Sequence, residues 1–221
     1  LKIIEADFSK TFLGSAAAEP HKSDFCGWTV LATKGGLWCD MDILFFKSVC
    51  ELDLNSQENS DCDSIVCRDS RFNLGLAPNL ALVESAPIGF LFSSGNNSVY
   101  KTIMDTASSH YFKDSYQSIG SYAIAKYAPD FASFCRRFPS NKVYNLAYKS
   151  VYKTDYENLH QLYEEDHFDA LLKTPGAIGV HWYGGHPTSQ KYNSDVDLEN
   201  YYEQKNTITE IINHLKLEEG I

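Results

Sequence analysis

Two carboxylates one residue apart, Asp40 and Asp42, sit inside the most apolar stretch of the chain, GGLWCDMDILFF over residues 35–46. Burying acids there is costly unless a cation or hydrogen bonds compensate. On a strand, residues two apart face the same side, with their heads roughly 6–7 Å apart. That arrangement suits a shared hard cation, Mn2+ or Mg2+, which takes oxygen ligands and completes its shell with substrate phosphates. On its own the D-x-D tripeptide is more often a strand end with solvated acids. A second chemical candidate stands late in the chain. In GVHWYGG (179–185), His181 and Trp182 precede a glycine pair, where an imidazole can be a ligand, a donor or an ordinary core histidine.

The elements that must position these groups follow from spacing. LKIIEAD (1–7) reads as a strand. SDFCGWTVLATKGG (23–36) reads as a short helix capped by Ser23, with Phe25, Trp28, Thr29 and Ala32 at helical spacing and Gly35 at a left-handed C-terminal position. LWCDMDILFF follows as one strand, whose alternation puts Trp38, Asp40 and Asp42 on one face and Leu37, Cys39, Met41 and Ile43 on the other. SIVCRD and APIGFLFSS are further strands, and NSVYKTIMDTASSHYF is a helix with Asn97 or Ser98 as its cap. Residues 155–173 read as helical, AIGVHWYGG as a strand entering a turn, and NTITEIINHLKL as a terminal helix with Ile208, Ile211, Ile212 and Leu215 on one stripe. Residues 51–64 are polar and read as a loop. Strands and helices intermix, so the class is α/β with a mixed sheet flanked by helices, in a single domain over 1–221.

Composition narrows the function classes. The chain has 221 residues, 43% hydrophobic, and a formal net charge of -10 without a Lys/Arg run. It can bury a core, but it offers no basic stripe for nucleic acid. An anionic small ligand then needs a metal ion or local dipoles to receive it. No apolar run approaches the ~18 residues of a membrane span. The six cysteines fit no zinc spacing. Cys62 and Cys67 can pair in an oxidising compartment, while inert buried thiols are the simpler reading. The acidic run YEEDHFD (163–169) reads as a solvated helix face, and His167 and His186 have no supporting context. No P-loop, G-x-S-x-G or H-E-x-x-H is present.

Ser23-Asp24, Gly35-Gly36, Leu37-Trp38 and Asp40-Met41-Asp42 stand together at a spacing with a likeness elsewhere. The block resembles the sugar-transfer segment of GT-A glycosyltransferases, in the group of Och1-like mannosyltransferases, α1,4-galactosyltransferases and clostridial glucosylating toxins. The resemblance implies a GT-A-like, Rossmann-related fold that binds Mn2+ or Mg2+ and a UDP- or GDP-hexose. It implies transfer of the hexose to a glycan, lipid or protein hydroxyl, with retention of configuration. It makes Asp42 a direct metal ligand. Asp40 becomes a ligand through water or a contact to the donor ribose, and Asp24 a partner of donor-sugar hydroxyls. Gly35 and Gly36 let backbone approach the nucleotide. GVHWYGG resembles the late segment that closes over the diphosphate, with His181 as a third metal ligand or a phosphate donor and Trp182 as a lid. QSIGSYAI (117–124) resembles the stretch where a glycine approaches the acceptor.

Two departures accompany the likeness. Family members carry an arginine three residues after the Asp of Ser-Asp, and this chain has Gly27 there. Only 39 residues precede Asp40, so the nucleotide-binding front is expected to be missing or abbreviated. A catalytically inactive sugar-binding or scaffolding module is therefore the alternative. A hydrolase or phosphatase using the acid pair would want a phosphate nucleophile or second metal cluster, and the sequence shows neither. The compartment stays open between a cytoplasmic or membrane-associated catalytic domain and the Golgi lumen.

Overall fold

The computed structural model describes residues 6–52, 64–68, 88–127, 135–139, 142–143, 159–196 and 199–219. They fall into two compact units, Leu1–Cys39 with Asn55–Phe138, and Asp40–Leu54 with Pro139–Ile221. The class is mixed α/β, with seven α-helices among the described residues.

In the first unit, α1 spans Glu19–Thr33 and leads through Gly35 into β1, Gly36–Cys39. The helix starts four residues before Ser23, so that residue lies within it and does not cap it. Pro20 in its first turn needs no amide partner there, and Ala18 stands at the cap position without a side-chain bond. Gly35 has φ +72°, as the left-handed expectation required. Its reason is also steric, because a Cβ would land 2.3 Å from the Gly95 nitrogen and 2.5 Å from the Ser93 oxygen.

β1 pairs antiparallel with β4 (Phe90–Ser93), and β3 (Ser64–Arg68) pairs antiparallel with the other side of β4. β5 (Cys135–Pro139) completes the order β1-β4-β3-β5. α2 (Ser98–Thr106) is capped by Asn97, whose side chain accepts from the Val99 and Tyr100 amides. With α3 (Ser121–Tyr127), these elements enclose a core of Trp28, Leu31, Leu91, Tyr100, Ile103 and Ile124. Burying such side chains stabilises each by about 1.5–3 kcal/mol.

The expected strand over 37–46 is two strands. β1 ends at Cys39, and β2, Ile43–Phe45, belongs to the second unit. Asp40–Ile43 is a turn closed by the Ile43 amide on the Asp40 carbonyl at 3.3 Å. Aspartates favour turns and are depleted in strands, so pleat alternation does not place the acid pair. Met41 at the turn's tip is fully exposed.

In the second unit β2 pairs antiparallel with β6, Gly179–His181, in the register Ile43 to His181, Leu44 to Val180 and Phe45 to Gly179. A Cβ on Gly179 would meet the Leu44 oxygen at 2.8 Å, so only glycine fits opposite Phe45. The 155–173 helix is two short ones where described, α4 (Gln161–Glu164) and α5 (Phe168–Lys173). α6 (Pro187–Asp195) and α7 (Thr207–Glu219) follow. The core here joins Phe46, Leu162, Phe168, Leu171, Val180 and Ile211. Glu164, Glu165 and Asp166 are exposed, as expected of the acidic run. Residues 1–5 of the first expected strand, 53–63 of the polar loop and 155–158 lie outside the described residues. Among the thiols, Cys26 is half-buried while Cys39 and Cys50 are exposed, so burial does not describe these two.

Candidate metal centre

The β2–β6 register decides what stands beside the acid pair. Asp42 immediately precedes β2 and Trp182 immediately follows β6, so antiparallel pairing sets them opposite one another. The Trp182 amide donates to the Asp42 carbonyl at 2.9 Å, extending the ladder by one bond. Two residues on, the Gly184 amide donates to the Asp42 Oδ2 at 2.8 Å. On the other side, Asp42 Oδ1 is 3.2 Å from His181 Nε2, and Asp40 Oδ2 is 3.9 Å from the same nitrogen.

Asp40, Asp42 and His181 each bring one ligand atom within 4.8 Å of the others, and the group can hold a metal ion. The ligands of one octahedral ion, at about 2.1 Å from it, stand roughly 3.0–4.2 Å apart. The observed spread closes onto an ion with shifts of well under 1 Å, easy for Asp40, whose side chain is 39% exposed. Two carboxylate oxygens and one imidazole suit a hard or borderline divalent cation rather than a thiophilic one. The fit therefore holds for the acid pair.

The imidazole is wired on both sides. Its Nδ1 accepts the Tyr183 amide at 3.1 Å. A backbone N–H can only donate, so Nδ1 carries a lone pair and a neutral ring carries its proton on Nε2, facing Asp42. Trp182 packs partly on the second core. Its carbonyl accepts from the Ser189 hydroxyl at 2.7 Å and from the Tyr163 hydroxyl at 3.2 Å. Burial pushes the Tyr163 phenol up to about 12, so it remains a donor over the working pH range. Ser189, Tyr163 and the Gly184 amide escape sequence reading, since only the turn's glycine pair carried a visible signal. His186, unsupported in the sequence, caps α6 by accepting the Thr188 amide at 3.2 Å.

The remaining candidates lie in the first unit. Asp24 is in α1, and Gly120 packs against it, since a Cβ on Gly120 would be 2.7 Å from both the Asp24 Oδ2 and the Gln117 Oε1. Asp24 thus adjoins the QSIG stretch. Gly35 is packed against the Ser93–Gly95 backbone, while Gly36, φ +110°, has nothing within 4 Å of its Cβ position. Gly27 lies under the Trp38 indole, whose Cε2 would be 3.0 Å from a Cβ there. No helix among the described residues is long and apolar enough to cross a membrane. Comparison with models of protein families, with curated proteins and with solved structures finds no match to this chain.

Proposed function

We propose that the chain is a metal-dependent, GT-A-like glycosyltransferase domain, with Asp40 and Asp42 holding Mn2+ or Mg2+ against the diphosphate of a UDP- or GDP-hexose. The observation that carries the reading is the convergence of the D-x-D pair with His181 from the late H-W-Y-G-G segment. Those two segments were singled out together by their likeness to the sugar-transfer group, although far apart in sequence.

The metal, when bound, supplies Lewis-acid stabilisation of the departing nucleotide diphosphate. The rest falls to the chain. Asp42 accepts the Gly184 amide on one oxygen, and His181 Nε2 lies 3.2 Å from the other. Asp40 is the more exposed acid and can swing onto the ion. The hexose goes to a glycan, lipid or protein hydroxyl with configuration retained.

The test is hydrolysis or transfer from UDP- and GDP-hexoses with and without Mn2+, alongside Asp42→Asn. Turnover that needs Mn2+ and disappears in the variant is expected. Failure of a folded protein to bind or turn over any such donor with Mn2+ would sink the enzyme reading. The second reading, a sugar-binding or scaffolding module without transfer, is favoured by Gly27. At the position of the expected arginine a Cβ would meet the Trp38 ring at 3.0–3.3 Å, so a larger side chain there must displace the indole.

A further inference from the structure

We propose that Ser189, seconded by Tyr163, is a positioning residue that fixes the tautomer and orientation of His181 through the peptide plane joining Trp182 to Tyr183. The carbonyl of that peptide is Trp182's and its N–H is Tyr183's, so the two point in opposite directions from one rigid plane. At one end the fully buried Ser189 hydroxyl and the Tyr163 hydroxyl both donate to the oxygen, at 2.7 and 3.2 Å. At the other end the N–H reaches His181 Nδ1 at 3.1 Å. Rotating the plane to release the ring would strip the oxygen of two donors in a buried setting, where an unmade hydrogen bond is expensive.

The plane needs holding. Tyr183 sits at φ +50°, a left-handed conformation that is uncommon away from glycine. Its own ring packs on the His181 ring, with centroids 4.0 Å apart. Tyr163 in turn stacks on Tyr192 at 4.3 Å, and the Asn206 amide donates to the Tyr192 hydroxyl. The chain of hydrogen bonds therefore runs from hydroxyl to carbonyl and across the peptide to the imidazole, whose Nε2 lies 3.2 Å from the Asp42 carboxylate.

The consequence is chemical. With Nδ1 as acceptor, the Nε2–H of the neutral ring is turned toward Asp42, with Nε2 3.2 Å from its Oδ1. Ligation of an ion by Nε2 would require the proton to move to Nδ1, where it would oppose the Tyr183 N–H. The wiring makes His181 an outer partner that orients a ligating carboxylate. This assignment of its role rests on the proposed site; the tautomer itself does not.

Asp42 also favours Nε2–H, so the test removes that influence first. Ring ¹⁵N shifts of His181 are read on metal-free protein, at a pH above which they no longer change. Wild type and Asp42→Ala are both expected to show Nδ1 unprotonated and Nε2 protonated, at well-separated shifts. Adding Ser189→Ala to Asp42→Ala should move the two shifts toward each other as the ring averages between tautomers. Tyr163→Phe added to Asp42→Ala, which keeps the ring stack, should move them in the same sense but less. A protonated Nδ1 in wild type, averaging already in Asp42→Ala, or separated shifts that survive both added substitutions would overturn the proposal. Because no metal or donor sugar enters the measurement, its failure is distinct from failure of the transferase reading.

Discussion

The Nε2 of His181 faces the Oδ1 of Asp42 at 3.2 Å, while the other oxygen of that carboxylate accepts the Gly184 amide at 2.8 Å. One contact comes from the last residue of β6 and the other from the turn that follows it, so both partners of the acid lie far away in sequence. The side chain of His181 is 8% exposed and that of Asp42 24%. The imidazole is thus the inner member of the pair, and the carboxylate keeps access to solvent and to an ion.

Replacing His181 by Gln separates a donor from a ligand. The Gln amide can donate to Asp42 from near the Nε2 position, but it is a poor substitute for imidazole on a metal. Mn2+ affinity, read by electron paramagnetic resonance, should stay within a few-fold of wild type. Removing a true ligand or an indispensable outer partner would weaken affinity by about 10–100-fold. A loss of that size in a folded Gln variant would make His181 a ligand.

The Gly35 backbone answers to packing as well as to φ. A methyl group there would meet the Gly95 nitrogen at 2.3 Å and the Ser93 oxygen at 2.5 Å, in a residue at φ +72°. Gly35→Ala should therefore destabilise the protein by on the order of 3 kcal/mol, adding left-handed strain to backbone overpacking. Gly36→Ala, where nothing lies within 4 Å, should lose clearly less. Urea unfolding of both variants gives the comparison, and equal losses would remove the steric argument.

The buried phenol of Tyr163 makes a pH prediction with a definite sign. Burial raises its folded-state value from 10.0 to about 12. Between those values the unfolded chain has released the proton and the folded chain has not. Fewer protons on the unfolded state mean that stability falls as pH rises. The contribution is thus fully present below about pH 10 and is lost on the way to about 12. Tyr163→Phe cannot ionise, so the stability difference between wild type and variant should be constant below pH 10 and shrink above it. Urea midpoints across that window check it; a constant difference throughout would place the phenol in contact with water.

How much of this was legible in the sequence depends on range. The helices with capping or stripe signals were readable locally, as Asn97 and the Ile211 face show. So was the left-handed Gly35. The acid pair was found for its residue types, but its geometry was not, because Asp40–Ile43 is a turn and no pleat aims the carboxylates. Their convergence with His181 depends on the β2–β6 register, a long-range pairing that no local pattern encodes. Ser189 and Tyr163 were invisible for the same reason. A serine after Pro-Thr and a tyrosine before three acids carry no local sign that both reach one carbonyl.

Gly27 bears most directly on the choice between the two proposed readings, a transferase or a sugar-binding module. The expected arginine cannot simply be restored, because Trp38 lies 3.0–3.3 Å from the Cβ position and is packed on the first unit's core. A helix gains up to about 1 kcal/mol when an interior glycine is replaced. Displacing a packed indole opposes that gain by about 1–3 kcal/mol. Gly27→Ala should therefore be near neutral, and Gly27→Arg destabilising, with no rise in donor-sugar hydrolysis. Urea unfolding and the Mn2+-dependent hydrolysis assay on the same preparations decide it. A Gly27→Arg protein of wild-type stability with increased hydrolysis would show that room exists for the cation and that only its side chain was lacking. That result would remove the observation that favours a non-catalytic module.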